Sequence, residues 1–295
     1  MKFLVLGAAA GGGLPQWNCG CRNCNDARRG KIPPSGQSSL AVSVDGETWS
    51  ILNASPDIRQ QMLDNPVLHP RELRDTPVAS VLLTNGDIDH IAGLLSLREQ
   101  TPFRLLATGD ILDVLGANRI FDAVNREKVA REKVGLDAPF DLHGGLTATL
   151  FAVPGKVPLF MEGAEVQTDL EGEQTVGVRM EGGGKIAYYI PGCAVVTDKL
   201  LARIADADIL FFDGTVWDDD EMIRTGTGIK TGRRMGHVPI SGDGGSLDRL
   251  ARIAAQKVYI HINNTNPILQ PDSRERIAVQ AAGWEIAQDG QEITP

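Results

Sequence analysis

The chain runs to 295 residues, 42% of them hydrophobic and 5% aromatic, enough to bury one large core or two medium ones. Its 38 acidic and 29 basic side chains leave a formal charge of −9 and a pI near 5.1, which disfavours a phosphate-backbone partner and with it a nucleic-acid role. No run of about 18 apolar residues occurs, so no membrane-spanning helix is expected, and no shift in composition divides 1–295, so a single domain is.

Lys2–Gly7 reads as a strand. It is too short an apolar run for a signal peptide and lacks a small-residue cleavage site, so a cytoplasmic location is expected. The turn Gly7-Ala8-Ala9-Ala10-Gly11-Gly12-Gly13 superficially suggests phosphate binding, but Leu14-Pro15-Gln16-Trp17 follow where a Rossmann turn needs a helix. The glycines are expected instead to let the backbone pack beneath the next loop. There Cys19, Cys21 and Cys24 fall within six residues amid polar neighbours. Three thiolates on one tight loop can face one ion, and zinc prefers such a sulfur-rich tetrahedral shell. The fourth ligand must come from elsewhere: Cys193 offers the best chemistry, and a His or Asx side chain is the alternative.

Strands are predicted at Ser38–Val44 and Thr48–Asn53, joined by the hairpin signal Asp45-Gly46. Ser55-Pro56 should cap a helix through Ile58–Leu63, with proline at its first position. Val78–Leu83 reads as a buried strand ending in Asn85-Gly86-Asp87-Ile88-Asp89-His90, a turn crowded with side chains able to hold a metal. A helix should begin next, capped by Asp87 or Asp89; an acidic helix N-terminus without any ligand is the plainer reading of the same residues. Phe103–Ala107 reads as a strand and Ile111–Leu115 as part of a helix, whereas residues 117–142 are charged and give no clear element. His69 and His143 read as surface residues.

The second half repeats the theme with strands at Leu146–Val153, Thr175–Met180 and Lys185–Ile190. A short helix near Lys199–Ile204 precedes the apolar run Ile209–Phe212. Asp213 ends that run and either binds metal, holds a ligand in place, or makes an ordinary turn. Asp218-Asp219-Asp220-Glu221 reads as a solvated helix start. His237, in a glycine-punctuated loop, is a proton donor or substrate contact or else a structural histidine. A helix near Leu247–Ala255 leads to strand Lys257–Ile260, and Ser273–Ala281 should be helical. His261 opens His261-Ile262-Asn263-Asn264-Thr265-Asn266-Pro267, and turn chemistry explains its asparagines but not its histidine. Two batches of strands, each mixed with helices, suit an α/β four-layer αββα sandwich better than one parallel sheet.

The hexapeptide after Leu83-Thr84 has the spacing of the metallo-β-lactamase motif His-x-His-x-Asp-His, with Asn85 and Asp87 in the places of the first two histidines. The opening from Met1 to Cys24, the stretch Leu83–His90 and the stretch His261–Pro267 resemble the PqqB family of pyrroloquinoline quinone biosynthesis, within the metallo-β-lactamase superfamily. The resemblance implies a metallo-β-lactamase αββα sandwich and a role in making this quinone from a Glu–Tyr cross-linked precursor. It implies an iron-dependent hydroxylase of the tyrosine ring with dioxygen as co-substrate; an older assignment is transport of the quinone or its precursor. Asp89, His90 and His261 would hold a labile iron(II), since two histidines and a carboxylate with open positions suit that ion. Cys19, Cys21 and Cys24 would hold structural zinc. The related PhnP phosphodiesterases carry the same loop and take their fourth ligand at the position of Asn264, while Cys193 stands where the superfamily has a metal-bridging aspartate. His237, Asp213 and Asp87 would then be catalytic. Arg233, Arg234, Lys156, Asn263 and Asn85 would bind substrate, because the carboxylates of a Glu–Tyr unit need cationic or amide partners. Other proteins of the same pathway and a second copy of the chain are expected partners. A metal-dependent hydrolase and a soluble carrier are the competing functions.

Overall fold

The alternation of side chains along each strand decides how the molecule is layered. In the computed structural model, which describes residues 1–295, the first sheet uses β1 (Lys2–Gly7), β2 (Ser39–Ser43), β3 (Trp49–Leu52), β4 (Val78–Leu82), β5 (Phe103–Ala107) and β6 (Val129–Lys133). The second uses β7 (Pro139–Asp141), β8 (Thr147–Ala152), β9 (Val176–Gly182), β10 (Lys185–Ile190), β11 (Ile209–Asp213), β12 (Gln256–Ile260) and β13 (Trp284–Ile286). A last strand, β14 (Glu292–Ile293), returns to the free edge of β1, so the sheet orders are β14-β1-β2-β3-β4-β5-β6 and β13-β12-β11-β10-β9-β8-β7. Each sheet is antiparallel at the start of its own chain segment and parallel in its later strands.

In β11, Ile209 and Phe211 face the first sheet and join the core shared with Phe3, Val81 and Val178. Their neighbours Leu210 and Phe212 join a second cluster with Tyr259, Val279 and Trp284 on the opposite face. Successive strand residues point to opposite sides, so a strand apolar at every position must be covered on both, as parallel strands usually are. The helix Arg274–Ala281 covers the second sheet, while Ile58–Asp64 and Gly109–Ala117 cover the first through Ile58, Ile111, Val114 and Leu115. The result is the expected αββα sandwich, and no helix is long and apolar enough to cross a membrane.

Several boundaries differ from the sequence reading. The helix after Ser55 starts at Ile58 with Asp57 as its cap residue; the Ser55 hydroxyl is spent on the Asp57 amide, and Pro56 lies outside. The helical turn near the metal motif, Ile88–Ile91, contains His90 rather than following it, and neither acidic side chain caps it. The helix predicted over Leu247–Ala255 is one turn, Ser246–Arg249. Residues 117–142 form β6 and β7, and β13 and β14 lie in a tail without strand signals.

A candidate metal centre at three strand ends

Strands of both sheets deliver the chemistry to one edge of the sandwich: β4 from the first, and the parallel neighbours β11 and β12 from the second. β4 ends in Asn85–Asp89, β11 in Asp213–Thr215 and β12 in His261–Asn263. Close backbone approach is needed where β11 and β12 leave the sheet: a Cβ on Gly214 would sit 3.0 Å from Tyr259 Cβ and 3.3 Å from the Ile260 carbonyl. His261 itself has φ +59, a conformation that costs a non-glycine residue and clusters at functional sites. It is held by bonds on both sides, Ile262 N–H to Ala8 O at 2.8 Å and Asn263 N–H to Thr215 O at 3.0 Å. The glycine-rich turn packs against the metal motif as well as the cysteine loop: a Cβ on Gly11 would meet the Asp89 carboxyl at 3.5 Å, and Ala9 clusters with Cys24.

The hydrogen bonds fix which ring nitrogens face inward. Asn85 Oδ1 lies 2.7 Å from His90 Nδ1, and an amide oxygen can only accept, so His90 carries its proton on Nδ1. His90 Nε2 is buried and has no partner in the protein. Thr215 Oγ1 donates to Asp213 Oδ1 at 2.6 Å and so accepts from His261 Nδ1 at 2.8 Å. His261 Nε2 then meets Asp89 Oδ2 at 3.1 Å, and His90 Nε2 lies 3.9 Å from the same oxygen. Two ring nitrogens and a carboxylate converge with only a cation, or a proton on His261, able to sit between them. The set Asp89, His90 and His261 thus fits a metal ion, with the outer hydrogen bonds that metal-binding histidines normally have. Burial pushes Asp89 up, but the His90 and His261 rings outweigh it and hold the carboxyl far below its ordinary value. Burial pushes His90 down to about 4, while the carboxylate of Asp89 overcomes burial to raise His261.

Asp213 is fully buried and saturated: it accepts from the Cys193 and Thr215 amides, the Thr215 hydroxyl and His237 Nδ1, the last at 2.7 Å. It fixes the His237 tautomer and leaves His237 Nε2 as the free nitrogen. His237 stacks on His261 with ring centroids 5.1 Å apart. Thr215 binds Asp213, His237 and His261 at once and was missed in the sequence; a hydroxyl directly after the strand-end Asp213-Gly214 was its only signal.

A cavity of about 360 Å³ opens over these groups and is lined by Asn85, Asp87, Lys156, Lys230, His237 and Asn263, among others. Burial, then the Asp89 charge, raises the Asp87 carboxyl. Among the expected substrate contacts, Lys156 and Asn263 line the cavity, but Arg233 is exposed and does not. Arg234 turns to Glu162 at 3.0 Å, alongside Lys156 at 3.0 Å and Lys230 at 3.7 Å. Lys230 was not singled out in the sequence. The Asn85 oxygen is occupied by His90 and by the Asp87 amide, which makes Asn85 a holder of His90. Glu221, expected in solvent at a helix start, does begin the turn Glu221–Arg224 but is fully buried.

The cysteine loop forms a second centre. The Cys19, Cys21 and Cys24 sulfurs lie within 4.8 Å of one another. The Asn264 amide caps them, its Nδ2 position 3.1, 3.6 and 3.3 Å from the three sulfurs in that order. Amide nitrogen and oxygen are interchangeable by rotation, so the same side chain can present Oδ1 to an ion among the thiolates. Burial, then its sulfur neighbours, pushes the Cys21 thiol up to about 11, an energetic conflict that a bound cation would remove. Cys193 does not belong to either centre. It is buried in the second apolar cluster with its thiol donating to Val195 O, and burial raises its pKa well above the ordinary thiol value.

The beta-lactamase superfamily domain matches residues 48–262. A coenzyme PQQ synthesis protein B from Ruegeria pomeroyi is 71% identical over 99% of each chain, and one from Rhizobium meliloti is 57% identical over 99% of this chain and 97% of its own. The crystal structure of Zn2+-bound PqqB from Methylobacterium extorquens superposes with a TM-score of 0.98 at 54% identity, covering 100% of both chains. A diphosphatase of the PhnP family shares the fold at a TM-score of 0.70 and 20% identity, over 99% of this chain and 96% of its own. With a fold, a metal-ligand constellation and nearly full-length identity in agreement, the chain belongs to the coenzyme PQQ synthesis protein B family of the beta-lactamase superfamily.

Proposed function

We propose that this protein hydroxylates the tyrosine ring of a Glu–Tyr-derived precursor of pyrroloquinoline quinone, with iron(II) at Asp89, His90 and His261 and zinc at Cys19, Cys21, Cys24 and Asn264. The observation that carries the reading is the inward convergence of His90 Nε2 and His261 Nε2 on one Asp89 oxygen. Two imidazoles and a carboxylate with free positions are the donor set of non-haem iron(II) oxygenases. Asn85, spent on orienting His90, offers no ligand for the second metal that hydrolases use to clamp water.

Bound iron(II) would supply the activation of dioxygen that places oxygen on the ring. The remaining work falls to the chain. Lys156 and Lys230 bring positive charge to the cavity wall of an otherwise acidic protein and bind a substrate carboxylate. Glu162 holds those ammonium groups, with Arg234 behind them, in one place. Asp213 keeps the His237 proton on Nδ1, so Nε2 accepts the proton of a substrate phenol. Asp87, whose raised carboxyl lines the same cavity, is a second proton carrier.

The test is mass spectrometry of product formed with iron(II), a reductant and a Glu–Tyr-derived substrate under labelled dioxygen and, separately, in labelled water. Label from dioxygen is the expected result. Label from water alone, or equal turnover with zinc under nitrogen, would make the protein a hydrolase or hydratase; binding without any turnover would leave a carrier.

A further inference from the structure

Behind the cavity wall lies a chain of three buried side chains that the chemistry above does not use. Asn263, on the loop after β12, lines the cavity. Its Nδ2 donates to Thr265 Oγ1 at 2.5 Å and to Met222 Sδ at 3.0 Å. Thr265 Oγ1 in turn donates to Glu221 Oε1 at 2.5 Å, and Glu221 Oε2 accepts the Trp217 amide at 2.6 Å. Every bond direction in this chain is forced by the one before it. An ionised Glu221 has no proton to give, so Thr265 must donate its single hydroxyl hydrogen to it. Thr265 can then only accept from Asn263, whose Oδ1 is left as the polar atom with no partner in the protein.

We propose that Glu221 is a positioning residue that sets, through Thr265, which end of the Asn263 amide is offered to a ligand in the cavity. As the structure stands, Asn263 offers its oxygen, so it recognises a donor, a hydroxyl or N–H of the ligand, and not a carboxylate. This differs from the role the sequence suggested. A proton on Glu221 must go to Oε1, because Oε2 is held by the Trp217 N–H. Glu221 then donates to Thr265, whose hydrogen goes to the nearer and stronger acceptor, Asn263 Oδ1, rather than to Met222 Sδ at 3.6 Å; the amide turns over, gives up its weak bond to Met222, and offers its NH2 group instead. The chain reverses without moving the backbone.

The reversal falls in an accessible range. Burial pushes the Glu221 carboxyl up to about 7. The charged groups near it are Asp218, which raises it further, and Arg224, which lowers it; those two are paired with each other. From the loop after β12 it meets only the uncharged Thr265 hydroxyl. Asn263 therefore selects donors above about pH 7 and acceptors below it. The reading of the cavity as the substrate site is the one proposed above, but the relay itself does not depend on turnover.

The experiment follows the Asn263 side-chain amide resonance in protein labelled with 15N-asparagine, assigned with Asn263→Ser, from pH 5.5 to 8.5. Wild type should show a transition near pH 7. Glu221→Gln keeps the buried volume and carries a permanent donor; its resonance should stay at the wild-type low-pH position throughout. Thr265→Val should abolish the transition and Thr265→Ser should restore it. Thermal unfolding of each variant shows that the fold is kept. In parallel, affinity for pyrroloquinoline quinone as a probe should change several-fold across pH 6 to 8.5 in wild type and lose that Glu221-dependent component in Glu221→Gln. An Asn263 transition of unchanged midpoint and amplitude in Glu221→Gln would overturn the relay. A resonance that behaves as expected in a protein that does not bind the quinone would uphold the relay while removing the functional reading of the cavity.

Discussion

Asn85 accepts the Nδ1 proton of His90 at 2.7 Å, so a residue standing where the superfamily motif has a metal-binding histidine has become the support of the neighbouring one. The amide oxygen also takes the Asp87 N–H at 2.9 Å, which ties the support to the backbone of the same turn. Only an acceptor at that point leaves His90 Nε2 with its lone pair inward. A histidine in place of Asn85 would add a ligand and withdraw the support.

Replacing Asn85 by Leu should therefore weaken metal binding at Asp89, His90 and His261 without unfolding the protein. Loss of such an outer hydrogen bond typically costs about 10–100-fold in metal affinity. Competition against a chelator measures it directly. Undiminished affinity would mean that packing, not Asn85, orients the His90 ring.

Glu162 makes a prediction with a definite sign. Burial alone would raise its carboxyl, but Arg234, Lys156 and Lys230 outweigh burial and lower it from 4.5 to about 2. Its proton is therefore bound more weakly in the folded than in the unfolded chain. The stabilisation it contributes is complete above about pH 4.5 and disappears as pH falls toward 2. Glu162→Gln should flatten this acid limb in denaturant unfolding at pH 3 to 7, and should cost about 1–3 kcal/mol at pH 7 by leaving the cations unpaired. An unaltered acid limb would assign the acid sensitivity to other carboxylates.

The contrast between Asp89 and Glu221 shows what could be read from the sequence. Asp89, His90 and His261 stand just beyond apolar strands of the two packed sheets, β4 in the first and β12 in the second, and their residue types at two strand ends made the pairing legible. Glu221 lies in a run of four acids that looks solvated; it is buried by Thr265, 44 residues away, and nothing local reports that. The directions of Arg233 and Arg234 were hidden for the opposite reason. Adjacent residues on a helical turn point in different directions, so one reaches Glu162 and the other reaches solvent. The layers were read from two batches of strands, each mixed with helices, together with the resemblance of the motif after Leu83-Thr84, whereas β14 is a strand only because the open edge of β1 is there to pair with it.

The thiol centre should hold its zinc through purification, since three thiolates bind that ion tightly. Replacing Cys19, Cys21 and Cys24 together by serine should remove the tight zinc and lower the melting temperature. Asn264→Ala should leave zinc bound but make it exchange faster with a chelator. Metal analysis of each purified variant decides the matter, and full zinc occupancy in the triple variant would exclude the loop as its site.

His237 and Asp213 test the division between metal and proton chemistry. With Asp213 Oδ2 at 2.7 Å from Nδ1, the imidazole keeps its inward Nε2 free of hydrogen. His237→Ala removes that nitrogen while leaving Asp89, His90 and His261 in place. Turnover should fall by about 10²–10⁴-fold, the usual weight of a positioned proton acceptor, with iron content unchanged. Asp213→Asn is the sharper variant. Its carboxamide can donate where the carboxylate only accepted, which reverses the His237 tautomer and places a hydrogen on Nε2. It should therefore match the alanine variant in kcat while sparing KM. Thr215 must keep its contact with His261 for this reading to hold, so iron content is measured on both variants. If His237→Ala lost its iron while Asp213→Asn kept it, His237 would be a metal ligand and the proton acceptor would have to be Asp87.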